Sequence, residues 1–490
     1  MSQITEEKQD RLNRRQALIQ KGIEPHPSKF DRTHKLNDLK GIAEGQEVKV
    51  SGRIMLLRVI GKIAFFTLQD ESGRHQAGVK VDDVGEENYE LVDLLDRGDF
   101  LGVTGKMGVT KTGEPTVWAT TLQLLGKSLA PLPEKFHGVS DIELIYRHRE
   151  MDLVANPESF ERFKLRSSFL SNCRHYLEDQ DFMEVETPIL TSVATGAAAR
   201  PFLTHHNDYH MDMVLRIAPE TYLKRLIGGG YERVFETAKC FRNEGSDPSH
   251  IQEFTQIEYY VAYKDYEWNM DFTERFLRDV LQKTFGKLQF EVIGKTGSTH
   301  TIDLSQPIPR YRLTDLIKQK TGIDVLEFSD AKELAKVIVA QGIEVEDADK
   351  KGTGTLIDEL YKHSVRPGLI APCFITKHTT EMKPLARRSY EDARLADSFQ
   401  LVIAGWEVIN AYSELVDPID QRDRMKVQAE FRAAGDEESF ELDEDYLEAM
   451  EMGFPPITGW GMGIDRIFAL LTGQSNLRDV IFFPIMKPEN

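Results

Sequence analysis

Cysteine is nearly absent from the 490 residues: only Cys173, Cys240 and Cys373 occur, with no CxxC spacing. That excludes a disulfide framework and a zinc-ligand pattern, and it points to a reducing compartment. Long apolar runs are missing as well, and none approaches the roughly 18 residues of a membrane span. Met1 to Arg15 alternates charges and lacks the apolar core of a signal peptide. A cytoplasmic protein with no membrane partner is expected. The chain also lacks a P-loop. Gly294-Lys295-Thr296 is tempting, but position 289, where that motif needs Gly, is Gln. Gly459, Gly461 and Gly463 are spaced GxGxG, and Asp465-Arg466 follows at once, where a phosphate-binding helix start disfavours an acid. Net positive charge is lacking too: the balance is −19, which read globally argues against nucleic-acid binding.

What is present has the balance of a soluble globular protein, 40% hydrophobic and 29% charged, at a length that implies two or three domains. Charge is unevenly spread. Residues 1–75 carry 14 Lys+Arg against 10 Asp+Glu, while Asp436 to Glu451 is densely acidic. A basic N-terminal part on an acidic body can steer a polyanion to one face. Two unrelated solvated surfaces would look the same, and charge does not decide between them. Residues 5–21 read as a polar helix with Arg11, Arg14 and Arg15, stopped by Gly22, Pro25 and Pro27. Either nucleic-acid contact or simple packing suits it.

From Val48 to Lys127 the pattern changes to five short strands with a helical stretch near Glu86 to Leu95, which suggests a closed barrel of OB type. Such barrels commonly bind single-stranded nucleic acid. Phe65, Phe66 and Gln76 suit stacking and base-edge reading, but adjacent strand residues face opposite sides, so one Phe must be core. A Pro-rich stretch then leads to a larger part with strands in hairpins and helices between, which reads as α+β. The expected organisation is an N-terminal helical extension (1–46), an OB-fold domain (47–127), a linker (128–155) and a large α+β domain (156–490).

The informative stretch is Phe241-Arg242-Asn243-Glu244, then His250 and Glu253-Phe254-Thr255. An Arg on one hairpin strand and an aromatic on the return strand can clamp a nucleotide, the guanidinium on a phosphate and the ring on the base. Arg466 would neutralise the other end of a triphosphate. Taken singly, each Arg is more often a surface or ion-pair residue.

These residues carry a resemblance. FMEVETPIL, FRNE…EFT and GMGIDR resemble, in order, motifs 1, 2 and 3 of the class II aminoacyl-tRNA synthetases. TGAAARPF, LRIAPETYLKRL, PLARR and NAYSEL narrow it to the lysyl-tRNA synthetase family, and GKIAFFTLQD and LPEKFHG resemble that family's anticodon domain and linker. The resemblance implies a ligase that activates lysine with ATP and loads it onto tRNA(Lys), releasing AMP and pyrophosphate. It implies Arg242 on the lysine carboxylate and α-phosphate, Phe254 on adenine, Glu244 and His250 on the nucleotide, Arg466 on the γ-phosphate and Glu407 on Mg²⁺. Gly196, Ala218, Glu220, Glu258, Tyr260, Asn410, Tyr412 and Glu414 would form the lysine pocket, with Glu220 on the α-amino group. Arg58, Phe65, Gln76 and Glu114 would read the anticodon. Pro188 of motif 1 implies a homodimer. Glu258 and Glu414 suit an ammonium, whereas aspartate-specific relatives need a cationic pocket.

The chain departs from that pattern at several positions. Gln400 stands where a second metal-binding acid is usual; an amide ligates Mg²⁺ more weakly, which predicts a raised Mg²⁺ requirement. Ile251-Gln252 replaces Asn-Pro, and Trp406, Glu150 and Pro115 are also unusual. These departures leave a non-catalytic tRNA-binding paralogue as the alternative. A protein lysyltransferase is a third reading, opposed by the barrel.

Overall fold

The computed structural model describes residues 6–132, 140–197, 199–343, 345, 348, 351–433 and 441–488. Most of the LPEKFHG stretch and part of the acidic run lie outside them. The chain divides into two compact units, Met1–Val139 and Ser140–Asn490, so the linker expected over 128–155 straddles the division. Its second half forms helices Ile142–Arg147 and Arg149–Ala155 in the larger unit. There the buried Arg149 pairs with Asp152 at 2.7 Å and donates to the carbonyls of Arg478, Ile481 and Phe482.

In the smaller unit, apolar residues alternate along β1 (Glu47–Ile60), β2 (Ile63–Asp70), β3 (Gly73–Lys80), β4 (Phe100–Val109) and β5 (Pro115–Gly126). Their pairing order, β1-β2-β3-β5-β4 with β4 returning to β1, closes a barrel. Alternation at period two sends Ala64, Phe66, Leu68, Ala77, Val79, Val117 and Ala119 inward. Three short helices, Val81–Val84, Glu86–Tyr89 and Leu91–Leu94, stand where the sequence predicts one helical stretch; Gly85 at φ +81° breaks the first from the second. Helix Glu6–Gln20 docks through Arg11, which turns inward to the carbonyls of Arg97 and Ser128. Packing is thus the structural use of this helix's central arginine.

The larger unit is built on an eight-stranded sheet in the order β14-β15-β16-β17-β18-β11-β10-β6. Its strands are β6 (Met183–Glu184), β10 (Arg233–Phe241), β11 (Glu253–Ala262), β14 (Arg310–Arg312), β15 (Cys373–Thr376), β16 (Ser398–Ile403), β17 (Trp406–Ser413) and β18 (Ile457–Gly463). The central pairings are antiparallel. Smaller sheets join β7 (Leu190–Thr191), β8 (Leu203–His206) and β9 (Met211–Leu215), and β12 (Gln289–Ile293) with β13 (Thr299–Asp303). Pro157 opens helix Pro157–Glu178 at a position whose amide needs no partner. Asp265 caps helix Tyr266–Phe285 by accepting from the Trp268 amide at 2.9 Å, and left-handed Gly286 ends it.

Both helices cover one face of the sheet. Phe169, Cys173, Leu177, Phe272, Phe276 and Val280 pack on Phe235, Ile257, Tyr259, Ile409, Ala411, Trp460 and Met462. Because strand side chains alternate, the intervening residues Gln256, Glu258, Tyr260, Asn410, Tyr412, Gly459, Gly461 and Gly463 are sent to the opposite face. Residues 285–369, almost silent in sequence, form the β12–β13 hairpin and then helices Leu313–Thr321, Ala331–Ala340 and Thr353–Ser364 around a core of their own.

Candidate active site and nucleic-acid face

The face of the large sheet away from the two helices lines a cavity of about 1460 Å³. Register sets its floor. Gln400 lies opposite Asn410, Asn410 opposite Gly461, Gly461 opposite Glu258 and Glu258 opposite Glu236, one row across β16, β17, β18, β11 and β10. The next row runs Tyr412–Gly459–Tyr260. The glycines are what make the floor a cavity. A Cβ on Gly459 would lie 2.2 Å from Glu414 Oε1 and 2.3 Å from Tyr260 Cε1, and one on Gly461 would reach Glu258 Cγ at 3.4 Å. The GxGxG spacing therefore serves alternate positions on β18 and not a loop. Asp465 accepts from the Thr255 amide at 2.7 Å and ties the helix after β18 to β11.

Every residue expected to bind lysine, nucleotide or metal lines this cavity: Gly196, Ala218, Glu220, Arg242, Glu244, His250, Phe254, Glu258, Tyr260, Gln400, Glu407, Asn410, Tyr412, Glu414 and Arg466. At one end the Arg242 guanidinium stands 5.0 Å from the centre of the Phe254 ring. Both come from the β10–β11 hairpin, with Phe254 opposite Cys240 and Arg242 one residue beyond β10. Arg466 donates to the Glu407 carbonyl at 2.9 Å, leaving the rest of its fork for a ligand. His250 is exposed and contacts Asp247 at 2.8 Å. Gly196, at φ +88°, lies against Ala218 and Glu220; a Cβ there would meet theirs at 3.2 and 3.1 Å.

The other end is buried and acidic. Glu220, Glu258 and Glu414 are all buried. Tyr412 donates to Glu220 at 2.6 Å, and Gln256 donates to Glu258 at 2.6 Å. Burial first, then the neighbouring Glu220, pushes the Glu258 carboxyl up to about 8. Lys224, which sequence reading left among the helix residues of LRIAPETYLKRL, is the counter-ion here: its ammonium pairs with Glu220 at 2.6 Å and with Glu414. Nothing in its sequence position marks it, since lysine on an amphipathic helix reads as solvent-facing. Residues 285–369 also reach the cavity, through Lys295, Asp358, Lys362 and Arg366.

For a metal, Glu407 offers a carboxylate and Gln400 Oε1 is a buried acceptor without a hydrogen-bond partner. No group of three or more His, Cys, Asp or Glu suited to a metal occurs among the described residues. This donor set fits one ion shared with ligand phosphates and not an all-protein cage.

In the barrel the two phenylalanines separate. Phe66 is core, and Phe65 stands on the outer face in the row Arg58–Phe65–Gly78–Trp118. Trp118, missed in the sequence, lies edge-on to Phe65 with ring centres 5.8 Å apart. It covers Gly78, where a Cβ would meet its ring at 2.8 Å, and Lys80 lies 4.3 Å from its ring centre. Gln76 is two residues along the same face and donates to Thr116 at 2.8 Å. Glu114 is exposed in the turn before β5.

Residues 141–487 match the family of class II tRNA synthetases (D, K and N), and residues 48–125 match the OB-fold nucleic acid binding domain. The chain belongs to the class II tRNA synthetases. It is similar to the lysine–tRNA ligase of Pelotomaculum thermopropionicum, 45% identical over 96% of this chain and 93% of the relative. That of Carboxydothermus hydrogenoformans is 44% identical over 98% of each, and that of Thermotoga maritima 44% over 99% of this chain and 97% of the relative. The family implies an ATP-using ligase, and nothing in the comparisons favours a non-catalytic paralogue. No helix among the described residues is long and apolar enough to cross a membrane.

Proposed function

We propose that the chain is a lysine–tRNA ligase that forms lysyl-adenylate in the sheet cavity and transfers lysine to the 3′ end of tRNA(Lys). One observation carries the choice of lysine: Glu258, buried at the floor of the cavity, has no cation within ion-pair distance among the described residues, while Lys224 already serves Glu220 and Glu414. A ligand ammonium is the missing partner. Smaller uncharged amino acids would leave that carboxylate unmatched.

Lysine would lie with its ε-ammonium between Glu258 and Glu414 beside Tyr260, and its α-amino group on Glu220. Its carboxylate would reach Arg242, which also takes an α-phosphate oxygen, so the two reactants are held in line. The carboxylate is itself the nucleophile and needs no general base; positioning and charge neutralisation carry the step. Phe254 stacks on adenine, and Arg466, with Glu244 and His250 nearby, holds the rest of the nucleotide. Mg²⁺, held by Glu407 with Gln400 as a neutral second donor, would neutralise charge on the departing pyrophosphate. Arg58, Phe65, Gln76 and Glu114 read the anticodon on the barrel, where splayed bases stack on rings. The exposed apolar residues Met183, Ile189, Leu190, Leu203 and Met211 around motif 1 support a homodimer, and the scarcity of cysteine supports the cytoplasm.

The deciding experiment is amino-acid-dependent ATP–pyrophosphate exchange with lysine, aspartate and asparagine in parallel. Exchange with lysine alone is expected, and exchange with either other amino acid overturns the pocket assignment. Sedimentation should give a dimer.

A further inference from the structure

Several charged groups in the cavity have no part in that scheme, and Lys383 is the one that lies in contact with the floor row. Its ammonium donates to Asn410 Oδ1 at 2.7 Å. No carboxylate lies within ion-pair distance of it among the described residues, so two of its three N–H donors are uncommitted. Asn410 is the β17 partner of Gln400 in the floor row. A carboxylate at position 400 would stand next to this ammonium and cancel its charge. The amide leaves the charge in place, and Gln400 Oε1 itself is without a hydrogen-bond partner. Burial draws the Lys383 ammonium down, while Glu407, Asp358 and Glu220 nearby help to keep its proton. Glu407 is the proposed Mg²⁺ ligand, and its carbonyl holds Arg466.

We infer that Lys383 is a phosphate-binding residue: its ammonium takes an oxygen of the ATP polyphosphate and, together with the neutral Gln400, stands in for part of the charge otherwise brought by divalent cations. The inference rests on the nucleotide end of the cavity being the one proposed above. It reverses the expectation drawn from Gln400 alone. A weaker metal ligand predicts a raised Mg²⁺ requirement, whereas a fixed cation beside it lowers the dependence of ATP binding on Mg²⁺. The ammonium is bound to Asn410 before any ligand arrives, so little side-chain ordering remains to oppose binding.

ATP affinity of the full chain, measured by calorimetry in EDTA and again in saturating Mg²⁺, tests this. Lys383→Met should lose about tenfold to hundredfold in EDTA, the range for a charge-assisted hydrogen bond, and much less in Mg²⁺. Lys383→Arg should keep most of the EDTA affinity. Gln400→Glu should imitate Lys383→Met by pairing with the ammonium, giving a second route should the methionine variant fold poorly. Equal losses with and without Mg²⁺, or no loss in EDTA, would overturn the inference. ATP binding needs no lysine, so the result stands whichever amino acid the exchange assay selects.

Discussion

On the barrel, Arg58, Phe65, Gln76 and Trp118 stand on an outward face that water reaches, and each can lose its ligand without leaving a charge stranded. In the cavity, Glu220, Glu258 and Glu414 are buried, and among the described residues Lys224 is the cation in ion-pair contact with them, through Glu220 and Glu414. The two regions therefore recognise charge under different rules. A contact on the open face is screened by salt and adds to its neighbours. A contact in the cavity decides whether a buried charge is matched, and its removal costs more than the contact itself contributes.

The largest effects should come from the cavity. Arg242→Ala removes the cation proposed to bridge both reactants, and lysine-dependent exchange should fall by about 10²–10³ in kcat, the loss typical of one transition-state donor. Gly459→Ala is a sharper test of how the cavity is made. The added Cβ would stand within 2.3 Å of both Glu414 and Tyr260, so lysine KM should rise strongly while ATP binding, at the other end, changes little. Equal loss of both would mean that β18 itself had shifted.

Glu258 adds a pH signature. With its carboxyl pushed up to about 8, it is largely protonated in the free protein at neutral pH and must lose that proton to bind an ammonium. The kcat/KM for lysine should therefore rise with pH and level off above about 8. Glu258→Gln should abolish that rise and raise KM by roughly tenfold to hundredfold. A pH profile shared by both proteins would assign the proton elsewhere.

Much of this division was legible in the sequence, because strands announce themselves by alternation and the Arg242–Phe254 hairpin by residue type. The barrel and the α+β body follow from such local signals, whereas the lysine-pocket residues were reached through the family resemblance alone. Phe65 and Phe66 show the limit: alternation says that one is core, and only register says which. Lys224 and Lys383 were invisible for another reason. Glu220 is one helical turn from Lys224, but Glu414, its other partner, and Asn410, the partner of Lys383, lie far along the chain, and a lysine alone carries no mark of burial. The β18 glycines lie on a strand and not in a loop, and their use is defined by side chains on β11 and after β17. The helices after residue 312 pack on one another around a separate core, so their sequence says nothing about the Lys362 and Arg366 side chains they send to the cavity.

The smallest effects should come from the open face, and there they separate by kind. Phe65→Ala should raise the KM for tRNA by about tenfold, since stacking one base contributes roughly 1–3 kcal/mol, and leave tRNA-free exchange untouched. Trp118→Ala should do less, because its ring meets Phe65 edge-on and its own face is partly occupied by Lys80. Arg58→Ala should be smaller still at physiological salt, but it alone should change the salt dependence. If Arg58 meets phosphate, the slope of log affinity against log salt should fall by about 0.7, one counterion's share on a single strand. If it hydrogen-bonds a base, as the family resemblance implies, affinity should drop with the slope unchanged. The effect is small, but its salt dependence tells whether this arginine positions the tRNA or reads it.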